Sequence, residues 1–565
     1  LQDTLNYYVA ALSNIKGMSA SVYLPGQGMW KGCAGLSYAG IPITSDMKFG
    51  IASNTKLFVA TVMLKLQENN VLDLDDAISL WLPTYPNINP NITIRQLLNH
   101  KSGVSDPLFY VPYVDTINNN STRVFTPTEV LGWVGAPTFA PGAGWGYSNI
   151  NYILAGMIAE SATGYHISQL IRDSILTPLN MDSTYYDVEE TTLPTVAHRW
   201  WNNIDYSDTS TVGLNTAGGA AGSIFSTSGE MAQWYAALFS GQILSPVSMA
   251  ELTNFVSTTS STYNYGLGLS RETTIGKKYW GHGGSTWGYR SKMIYDTCMN
   301  ATVCGLTNCY PSGMESVTFL LYRVLLNHLP TCSGSISGAT VVCQGQNSVT
   351  YAVSPILHAT SYSWTLPSGA TGSSSANTIM VNYGLSAVSG SITVKGVNVY
   401  GNGNSSSLAV TVNPKPPTPV ITQNGNVLQS SAASGNQWYN QNGIINGASA
   451  QNYTVMADGD YYVILTLLGC ISDNSNTIHV LVTGADDYAN AAGILVYPNP
   501  VSQELVIETS NLKTTYEILS SSGQVVMKGA VNRKVVLPVQ LLPQGIYVIR
   551  LSGDAGTQFR KLVKQ

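Results

Sequence analysis

Charged residues and long apolar runs are scarce in this 565-residue chain, and each scarcity excludes a class of function. Only 10% of the residues are charged, against about 25% in an ordinary soluble domain. The net charge of −5 shows no basic excess, so we expect no nucleic-acid partner. No run of about eighteen uncharged apolar residues occurs, so no membrane-spanning helix is expected. The N-terminus lacks a basic segment followed by an apolar stretch, so no signal peptide is expected within the chain.

Cysteine patterns typical of metal centres are also missing. The seven cysteines are Cys33, Cys298, Cys304, Cys309, Cys332, Cys343 and Cys470. They form no CxxC pair and no Cys/His set at zinc spacing, so we expect neither a metal nor another cofactor. The three cysteines between positions 298 and 309 predict one local disulfide. The odd total leaves at least one thiol free or paired outside the chain.

The composition and the hydrophobic periodicity of the sequence change near residue 330. Residues 1–330 alternate helical patterns with strand-like stretches, which predicts a mixed α/β domain. Short β-branched and aromatic runs separated by Gly, Ser and Asn then predict β-sandwich modules at 331–413 and 418–482, with Trp364 and Trp438 in their cores. A stiff linker, "NPKPPTP", joins the two. Residues 494–565 predict a third β module.

One serine and one lysine stand at the start of a nearly all-apolar segment, "GIASNTKLF". Residues 57–64 are apolar all round, which predicts a buried helix with Ser53 and Lys56 in its N-terminal turn. Residues three apart lie on one helix face, so the Lys56 amine is expected within reach of the Ser53 hydroxyl. Burial disfavours the charged form of lysine, which predicts a neutral amine able to take the serine proton. Backbone N–H groups at the helix start are expected to stabilise an oxyanion.

The S-x-x-K pattern is weak on its own. It also occurs at Ser13 and Lys16, and at Ser45 and Lys48. No buried helix follows either of these, so the sequence favours Ser53 as the nucleophile.

Two later segments supply candidate partners for Ser53. "PGAGWGYSNINY" places Tyr147 and Asn149 in a glycine-rich loop before an apolar helix. "YWGHGGSTWGYRS" places His282 between a strand and a pair of glycines, where backbone can approach a ligand closely. A structural role is the alternative for an isolated histidine of this kind.

These three motifs, in this order, resemble those of the serine β-lactamase and DD-peptidase superfamily. The branch is that of class C β-lactamases, D-alanyl-D-alanine carboxypeptidases and family VIII esterases. "FGIASNTKLFVATVMLKLQENNVLDLDD", "ITIRQLLNHKSGVSD" and "AAGSIFSTSGEMAQW" also stand in the family's order. The resemblance covers roughly residues 1–330 and implies a β-lactamase/transpeptidase-like α/β fold with an antiparallel sheet and a helical domain.

The resemblance also implies a role for each motif residue. Ser53 would be acylated, Lys56 would be its base, and Tyr147 would pass a proton to the leaving group. The backbone N–H groups of Ser53 and Ser285 would form the oxyanion hole. Whether Lys56 or Tyr147 takes the first proton stays open at this point. The residues implied to bind the substrate are Asn149, His282, Gly284 and Ser285.

His282 departs from the class C pattern, which has a lysine there. That lysine's charge helps to hold a substrate carboxylate, whereas a histidine with a pKa near 6.5 is mostly neutral at pH 7. We therefore expect a secreted serine hydrolase acting on esters or D-amino-acid peptide amides. The alternatives are a β-lactamase and a non-catalytic penicillin-binding or adhesive surface protein. No G-x-S-x-G pentapeptide occurs, which excludes a nucleophile elbow.

The remainder of the chain resembles three kinds of β module. Residues 331–413 resemble PKD-like modules and residues 418–482 an Ig-like module. The end, with "VYPNPVSQELVIE" and "LPQGIYVIRL", is similar to the C-terminal sorting domain of the type IX secretion system. This similarity implies export across the outer membrane to the cell surface or the medium. The expected partners are a small-molecule or peptide substrate, the type IX secretion machinery and a surface partner of the β modules.

Overall fold

The computed structural model describes residues 1–12, 14–190, 195–274, 276–482, 493–510, 513–553 and 556–565. Ser13 of the S-x-x-K pattern at positions 13 and 16 lies outside the described residues. We call residues 1–330 the N-terminal unit, 331–413 the first β module, 418–482 the second β module and 494–565 the C-terminal module. These boundaries are the predicted ones and stay a prediction.

The N-terminal unit carries the helices of the described chain. They are α1 (Gln2–Ala11), α2 (Thr55–Glu68), α3 (Ile94–Leu98), α4 (Val111–Asn118), α5 (Pro127–Leu131), α6 (Ile150–Thr163), α7 (Ile167–Ile171), α8 (Val212–Gly218), α9 (Ser228–Phe239), α10 (Pro246–Leu252) and α11 (Met314–His328). Eleven residues of α2 are buried, as its all-apolar sequence predicts. Among these described elements we find no helix that combines the length and the hydropathy of a membrane span.

Fifteen strands belong to the described part of this unit. They are β1 (Gly17–Leu24), β2 (Gly28–Tyr38), β3 (Ile41–Pro42), β4 (Phe49–Gly50), β5 (Tyr185–Tyr186), β6 (Trp200–Trp201), β7 (Ile204–Asp205), β8 (Ile224–Ser226), β9 (Val256–Ser257), β10 (Tyr263–Tyr265), β11 (Ser270–Thr274), β12 (Lys277–Thr286), β13 (Tyr289–Asp296), β14 (Ala301–Thr307) and β15 (Cys309–Tyr310). Nine of them form one antiparallel sheet in the order β3-β2-β1-β14-β13-β12-β11-β10-β9.

Two hydrophobic cores hold helices against this sheet. On one face, α1 packs against β2 and α11 against β13 and β14, in a core that contains Leu5, Val22 and Leu321. On the other face, α2, α6 and α9 form the larger core with residues such as Leu57 and Trp234. This second layer brings the start of α2 against β12, which fixes the position of Ser53.

The two β modules contain short strands in paired sheets. The first has β16 (Val341–Cys343), β17 (Val349–Ala352), β18 (Ser361–Thr365), β19 (Ala370–Thr371), β20 (Thr378–Tyr383), β21 (Gly390–Asn398), β22 (Gly401–Asn402) and β23 (Ser406–Asn413). The second has β24 (Ile421–Asn424), β25 (Val427–Ser430), β26 (Asn436–Asn440), β27 (Gly443–Ile444), β28 (Asn452–Thr454), β29 (Gly459–Leu467), β30 (Cys470–Ile471) and β31 (Ile478–Val480). Trp438 is fully buried in the second module, whereas Trp364 packs half-buried at the edge of the first core.

The C-terminal module is a separate two-sheet unit. Its strands are β32 (Ile494–Tyr497), β33 (Glu504–Thr509), β34 (Thr514–Leu519), β35 (Val525–Val531), β36 (Lys534–Pro538), β37 (Gly545–Gly553) and β38 (Gly556–Lys564). The sheets follow the orders β32-β33-β36 and β35-β34-β37-β38. Their facing side chains, such as Leu505, Ile518 and Ile549, form one apolar core.

Disulfides connect successive units of the chain. The bonded pairs are Cys298–Cys332 and Cys343–Cys470. The predicted local disulfide within 298–309 is wrong, because Cys304 is buried in the middle of β14 while Cys298 lies in the turn before that strand. The first bond ties the N-terminal unit to the segment that follows it, and the second ties the two β modules together. The free thiols are Cys33, Cys304 and Cys309.

Candidate active site

Ser53 lies in a single 3-10 turn, Ala52–Asn54, directly before α2. The turn is tight, since Ala52 has a φ of 48°, a left-handed conformation that is uncommon for alanine. Two hydrogen bonds to Ile51, the residue before this turn, fix the position of the turn. The Ile51 N–H donates to the Ile224 carbonyl, and the Ser291 hydroxyl donates to the Ile51 carbonyl. The Ser53 side chain is thereby presented, half-buried, at the end of a buried helix.

Lys56 is fully buried and its amine contacts three oxygen atoms. Nζ lies 3.1 Å from Ser53 Oγ, 2.8 Å from Asn149 Oδ1 and 2.8 Å from the Ala221 carbonyl. Burial lowers the pKa of Lys56 to about 7, and the negative charge of Asp106 works in the opposite direction. Near neutral pH a large fraction of this amine therefore lacks its extra proton.

Tyr147 covers the same lysine. The Lys56 Nζ atom lies 5.0 Å from the centroid of the Tyr147 ring. Burial raises the pKa of the Tyr147 hydroxyl, and hydrogen bonding with Ser53 partly counteracts that rise. The phenol therefore keeps its proton near neutral pH and stands next to the Ser53 oxygen as a potential donor.

His282 is buried behind the cleft with its hydrogen bonds satisfied. Nδ1 donates to the Gly283 carbonyl over 2.6 Å, and Nε2 accepts from the Tyr265 hydroxyl over 2.8 Å. Burial lowers the pKa of His282 to about 3, so the ring is neutral throughout the physiological range. The sequence predicted a mostly neutral ring, and burial strengthens that neutrality.

Gly284 allows β12 to approach the turn that carries Ser53. A Cβ atom there would lie 2.1 Å from the Ile51 carbonyl oxygen and 2.3 Å from Ser291 Oγ. Strand β11 pairs with β12 only as far as Gly281. In the described part of the sheet, residues 283–286 of β12 therefore have no strand partner on that side. This stretch of strand edge faces the cleft and includes the exposed Ser285.

A cavity of about 600 Å³ brings the predicted residues together. Ser53 and Ser285, the two residues predicted to supply the oxyanion hole, both line it. The other predicted site residues on its wall are Tyr147, Asn149, His282 and Gly284. Lys56 lies beneath the wall, in contact with Ser53. The cavity is large enough for a small-molecule or short-peptide substrate.

Apolar side chains also line this cavity. They are Leu108, Phe109, Val114, Ile117, Leu214 and Trp287. Phe109 is 68% exposed, whereas Ile117 is buried. These side chains suit an apolar or aromatic group on a substrate.

The charged groups that line the cavity are paired with each other. Lys292 Nζ lies 2.8 Å from a Glu272 carboxylate oxygen, and Arg290 forms an ion pair with Glu315. In the described residues, no cluster of three or more His, Cys, Asp or Glu side chains is placed to hold a metal ion.

Sequence reasoning missed Asp106 and His100, which are both buried beside the motif residues. Asp106 accepts two hydrogen bonds from Asn149, and His100 Nδ1 accepts one from the Ser148 N–H. Both lie in the segment "LLNHKSGVSD", where polar residues follow a short amphipathic helix. Only the fold shows that Asp106 meets a residue 43 positions later.

The competing pair Ser45 and Lys48 does not form a comparable arrangement. Ser45 is exposed, whereas Lys48 is buried on an extended segment whose backbone pairs with residues 195–197. Lys48 thus lies outside any helix, so the i, i+3 geometry that joins Ser53 and Lys56 is absent there.

Comparisons with known proteins match three regions of the chain to family models. The beta-lactamase family model matches residues 5–324, the PKD-like domain model residues 329–410, and the secretion system C-terminal sorting domain model residues 495–565. These matches confirm the predicted resemblances of the three regions. The sorting domain marks type IX secreted proteins, so the chain is a secreted or cell-surface protein. The Ig-like character of the second β module stays a prediction.

Solved structures similar to this chain include two enzymes. One is the D-stereospecific amidohydrolase from Streptomyces sp., and the other is the D-amino acid amidase from Ochrobactrum anthropi SV3 complexed with D-phenylalanine. Both are 28% identical, with TM-scores of 0.51 and 0.52, and the matches cover 56% and 57% of this chain and 96% of each of those chains. The predicted β-lactamase/transpeptidase-like fold followed by all-β modules is confirmed.

Curated relatives match over a shorter stretch. Penicillin-binding protein 4* of Bacillus subtilis (strain 168) is 32% identical over 148 residues, which is 25% of this chain and 31% of that protein. Protein flp of Staphylococcus aureus (strain MW2) is 35% identical over 144 residues, 25% of this chain and 28% of that protein. The chain therefore spans less than a third of the length of these relatives.

Proposed function

Because the chain belongs to the beta-lactamase family, whose members include serine hydrolases, we propose that it forms a covalent acyl-enzyme on Ser53 and hydrolyses it. The observation that carries the proposal is the contact between Lys56 Nζ and Ser53 Oγ, 3.1 Å apart, with the lysine fully buried. A desolvated amine beside a hydroxyl is the arrangement that activates a serine nucleophile.

Lys56 takes the first proton in this proposal. Its pKa is lowered to about 7, whereas that of Tyr147 is raised above its ordinary value. At pH 7 the amine is therefore the better base, and the phenol is a donor. As the Ser53 oxygen bonds to the substrate carbonyl carbon, Lys56 receives the serine proton.

Tyr147 completes the acylation step. Its hydroxyl gives a proton to the leaving nitrogen or oxygen as the bond to the carbonyl carbon breaks, and it regains a proton from Lys56. The backbone N–H groups of Ser53 and Ser285 stabilise the negative charge on the carbonyl oxygen. Water then attacks the acyl-enzyme, with the same groups moving its protons, and Ser53 is released.

We propose substrates with an uncharged leaving group, namely esters and D-amino-acid amides. The lysine and the arginine that line the cavity are each paired with a glutamate, and His282 is neutral. A substrate carboxylate thus has no unpaired cation to bind in the described cavity wall, which disfavours penicillins and peptides with a free C-terminus. The names of the similar solved enzymes favour a D-amino-acid amide as the substrate. The apolar residues that line the cavity favour an apolar side chain on that substrate.

A substrate panel tests this proposal. Hydrolysis of D-phenylalaninamide, L-phenylalaninamide, p-nitrophenyl butyrate, D-alanyl-D-alanine and nitrocefin is compared as kcat/KM, with Ser53→Ala as the inactive control. We expect the D-amide and the ester to exceed the two carboxylate substrates by about tenfold or more. Faster turnover of nitrocefin or D-alanyl-D-alanine would overturn the substrate class. Penicillin binding without any turnover would favour the non-catalytic alternative.

One variant sharpens the substrate argument. Glu315→Gln leaves Arg290 without its carboxylate partner at the edge of the cavity. We expect this variant to raise kcat/KM for D-alanyl-D-alanine relative to D-phenylalaninamide, because Arg290 gains the ability to hold a carboxylate. An unchanged ratio would show that Arg290 does not face the leaving group.

The modules after residue 330 have a separate proposed role. They hold the exported hydrolase at the cell surface or accompany it into the medium, and they bind a surface partner. Truncation after residue 482 is expected to abolish export but to leave the purified hydrolase active, which secretion assays in a type IX host measure.

A further inference from the structure

Asp106 holds both the backbone and the side chain of Asn149. Its Oδ2 atom accepts from the Asn149 backbone N–H over 2.7 Å and from Asn149 Nδ2 over 2.9 Å. Its Oδ1 atom accepts from the Leu108 N–H over 3.0 Å. The residue is only 9% exposed, so these bonds replace water around a buried carboxylate.

These bonds fix which end of the Asn149 amide faces Lys56. A carboxylate only accepts hydrogen bonds, so the amide nitrogen must face Asp106. The amide oxygen then faces the lysine, and Oδ1 accepts from Lys56 Nζ over 2.8 Å. The opposite orientation would place two acceptors against each other at Asp106 and two donors against each other at Lys56. Such contacts leave buried polar groups unpaired, which is costly.

The charge of Asp106 acts on Lys56 as well. The carboxylate favours the protonated amine, against the effect of burial. Asp106 is the only carboxylate among the described groups that face Lys56. The other titratable groups that face it are two tyrosines and two histidines. They are Tyr147 from the glycine-rich loop, Tyr152 from α6, His100 from the segment after α3 and His282 from β12. Both histidines are held neutral by burial, so Asp106 is the anion that opposes desolvation of the lysine.

We propose that Asp106 is a positioning residue for the reaction: it orients the Asn149 amide and thereby holds Lys56 on Ser53. The same carboxylate bears on the pH at which the lysine becomes a base, because its charge favours the protonated amine. The inference rests on the proposed function, because it concerns the base of that reaction. Asp106 acts through Asn149 and Lys56 and lies behind them as seen from the cavity.

Two substitutions separate the hydrogen bonds of Asp106 from its charge. Asp106→Asn removes the charge and, with its amide oxygen toward Asn149, keeps both of those bonds but loses the one from the Leu108 N–H. Asp106→Ala removes the acceptor and frees the Asn149 amide. The readouts are kcat, KM and the pH dependence of kcat/KM for p-nitrophenyl butyrate between pH 5 and 9, and thermal unfolding checks that each variant is folded.

In Asp106→Asn we expect kcat/KM to increase at a lower pH than in the wild type. Loss of a neighbouring negative charge makes Lys56 lose its proton more readily, so the ratio of variant to wild-type activity grows as the pH falls. In Asp106→Ala we expect kcat to fall by about tenfold to a hundredfold because the base is misplaced, and KM to rise as well because the freed Asn149 amide lines the cavity. If the Ala variant does not fold, the Asn variant carries the test alone.

Asp187→Asn is the matched control. Asp187 is also buried and also accepts from an asparagine amide, that of Asn215, but it does not influence Lys56. Its substitution is expected to leave the pH profile in place. The proposal is overturned if Asp106→Asn leaves the profile unmoved or moves it to higher pH, or if Asp187→Asn moves it equally.

The failure of the proposed function would look different. If Ser53→Ala kept the wild-type rate, the acyl-enzyme itself would be wrong. If Ser53→Ala were inactive and the pH profile of Asp106→Asn matched that of the wild type, only the positioning role of Asp106 would be disproved.

Discussion

Residues 1–330 bury seven charged side chains in their described part, whereas residues 331–482 bury none of theirs. The buried set is Lys48, Lys56, Asp106, Asp187, Arg199, Lys292 and Asp296. In the second region Lys395, Lys415, Asp458, Asp460 and Asp473 all stay at least partly exposed. Both regions have apolar cores of ordinary composition, so the difference does not follow from the need to fold.

Burial of charge is costly, so a buried charge needs either compensating partners or a function that uses its altered proton affinity. Around Ser53 burial changes proton affinities, since it lowers the pKa of Lys56 to about 7 and keeps His282 neutral. The β modules have no such requirement, and alternating strands with a disulfide between the modules are sufficient for stability. Buried titratable groups that cluster in one place, as they do around Ser53, are typical of a functional site, whereas Lys48 and Asp187 show that burial of a single charge is not enough to mark one.

The largest expected effect comes from removing the buried amine. Lys56→Met has similar volume but no base, so kcat/KM for p-nitrophenyl butyrate should fall by roughly 10²–10⁴-fold. Thermal stability should fall, because the Asn149 amide oxygen and the Ala221 carbonyl lose their donor and Asp106 loses a nearby positive charge, so unfolding is measured beside activity. Lys48→Met, at the other buried lysine of an S-x-x-K pattern, is the matched control and should lose far less activity. Equal losses in both variants would contradict the comparison.

A core substitution in the second β module gives the next largest effect. Trp438 is fully buried there, so Trp438→Ala should destabilise the module by about 3–5 kcal/mol. Calorimetry of the full chain should show one unfolding transition move to lower temperature. Hydrolysis of p-nitrophenyl butyrate should be unchanged, since no titratable group near Ser53 is altered. A parallel loss of activity would show that the two regions are coupled.

The pH profile of the wild type should reflect one buried base. Lys56 must be unprotonated to act, so kcat/KM should fall by about tenfold per pH unit below a pKa of about 7. His282, with its pKa lowered to about 3, should contribute no step between pH 5 and 8. In His282→Gln the acid limb should stay in place, because the histidine is already neutral there. A second step that disappears in this variant would disprove a neutral histidine.

The smallest effect is expected at an exposed ion pair of the modules. Lys415 Nζ lies 2.6 Å from Asp473, whose side chain is 68% exposed. Lys415→Ala should therefore change the stability of the second β module by less than about 1 kcal/mol. Chemical denaturation at low and high salt measures this, and the difference should vanish at high salt. A large effect would mean that the modules also depend on charge.

Local rules predicted from the sequence that Ser53 and Lys56 lie next to each other. An apolar run after the serine predicted the buried helix, and the spacing of three placed Lys56 on the same face as Ser53. The β modules were predictable for the same reason, since alternation and turn residues act over a few positions. Trp438 occupies the core position expected of it.

Long-range pairing was not predictable in this way. Nothing in the local sequence joins Asp106 to Asn149, because their contact depends on how α6 and the loop after α3 pack. The cysteine error has the same origin. Spacing suggested a short loop, but the strand β14 buries Cys304 and leaves Cys298 to meet Cys332.

Covalent labelling of Ser53 tests the central claim most directly. The purified chain is treated with a fluorophosphonate at pH 8, and the modified peptide is identified by mass spectrometry. We predict one label per chain, on Ser53, with no label on Ser53→Ala and a much slower reaction in Lys56→Met. Absence of labelling in the wild type, or a label on another serine, would contradict an acyl-enzyme formed at Ser53 by a buried lysine.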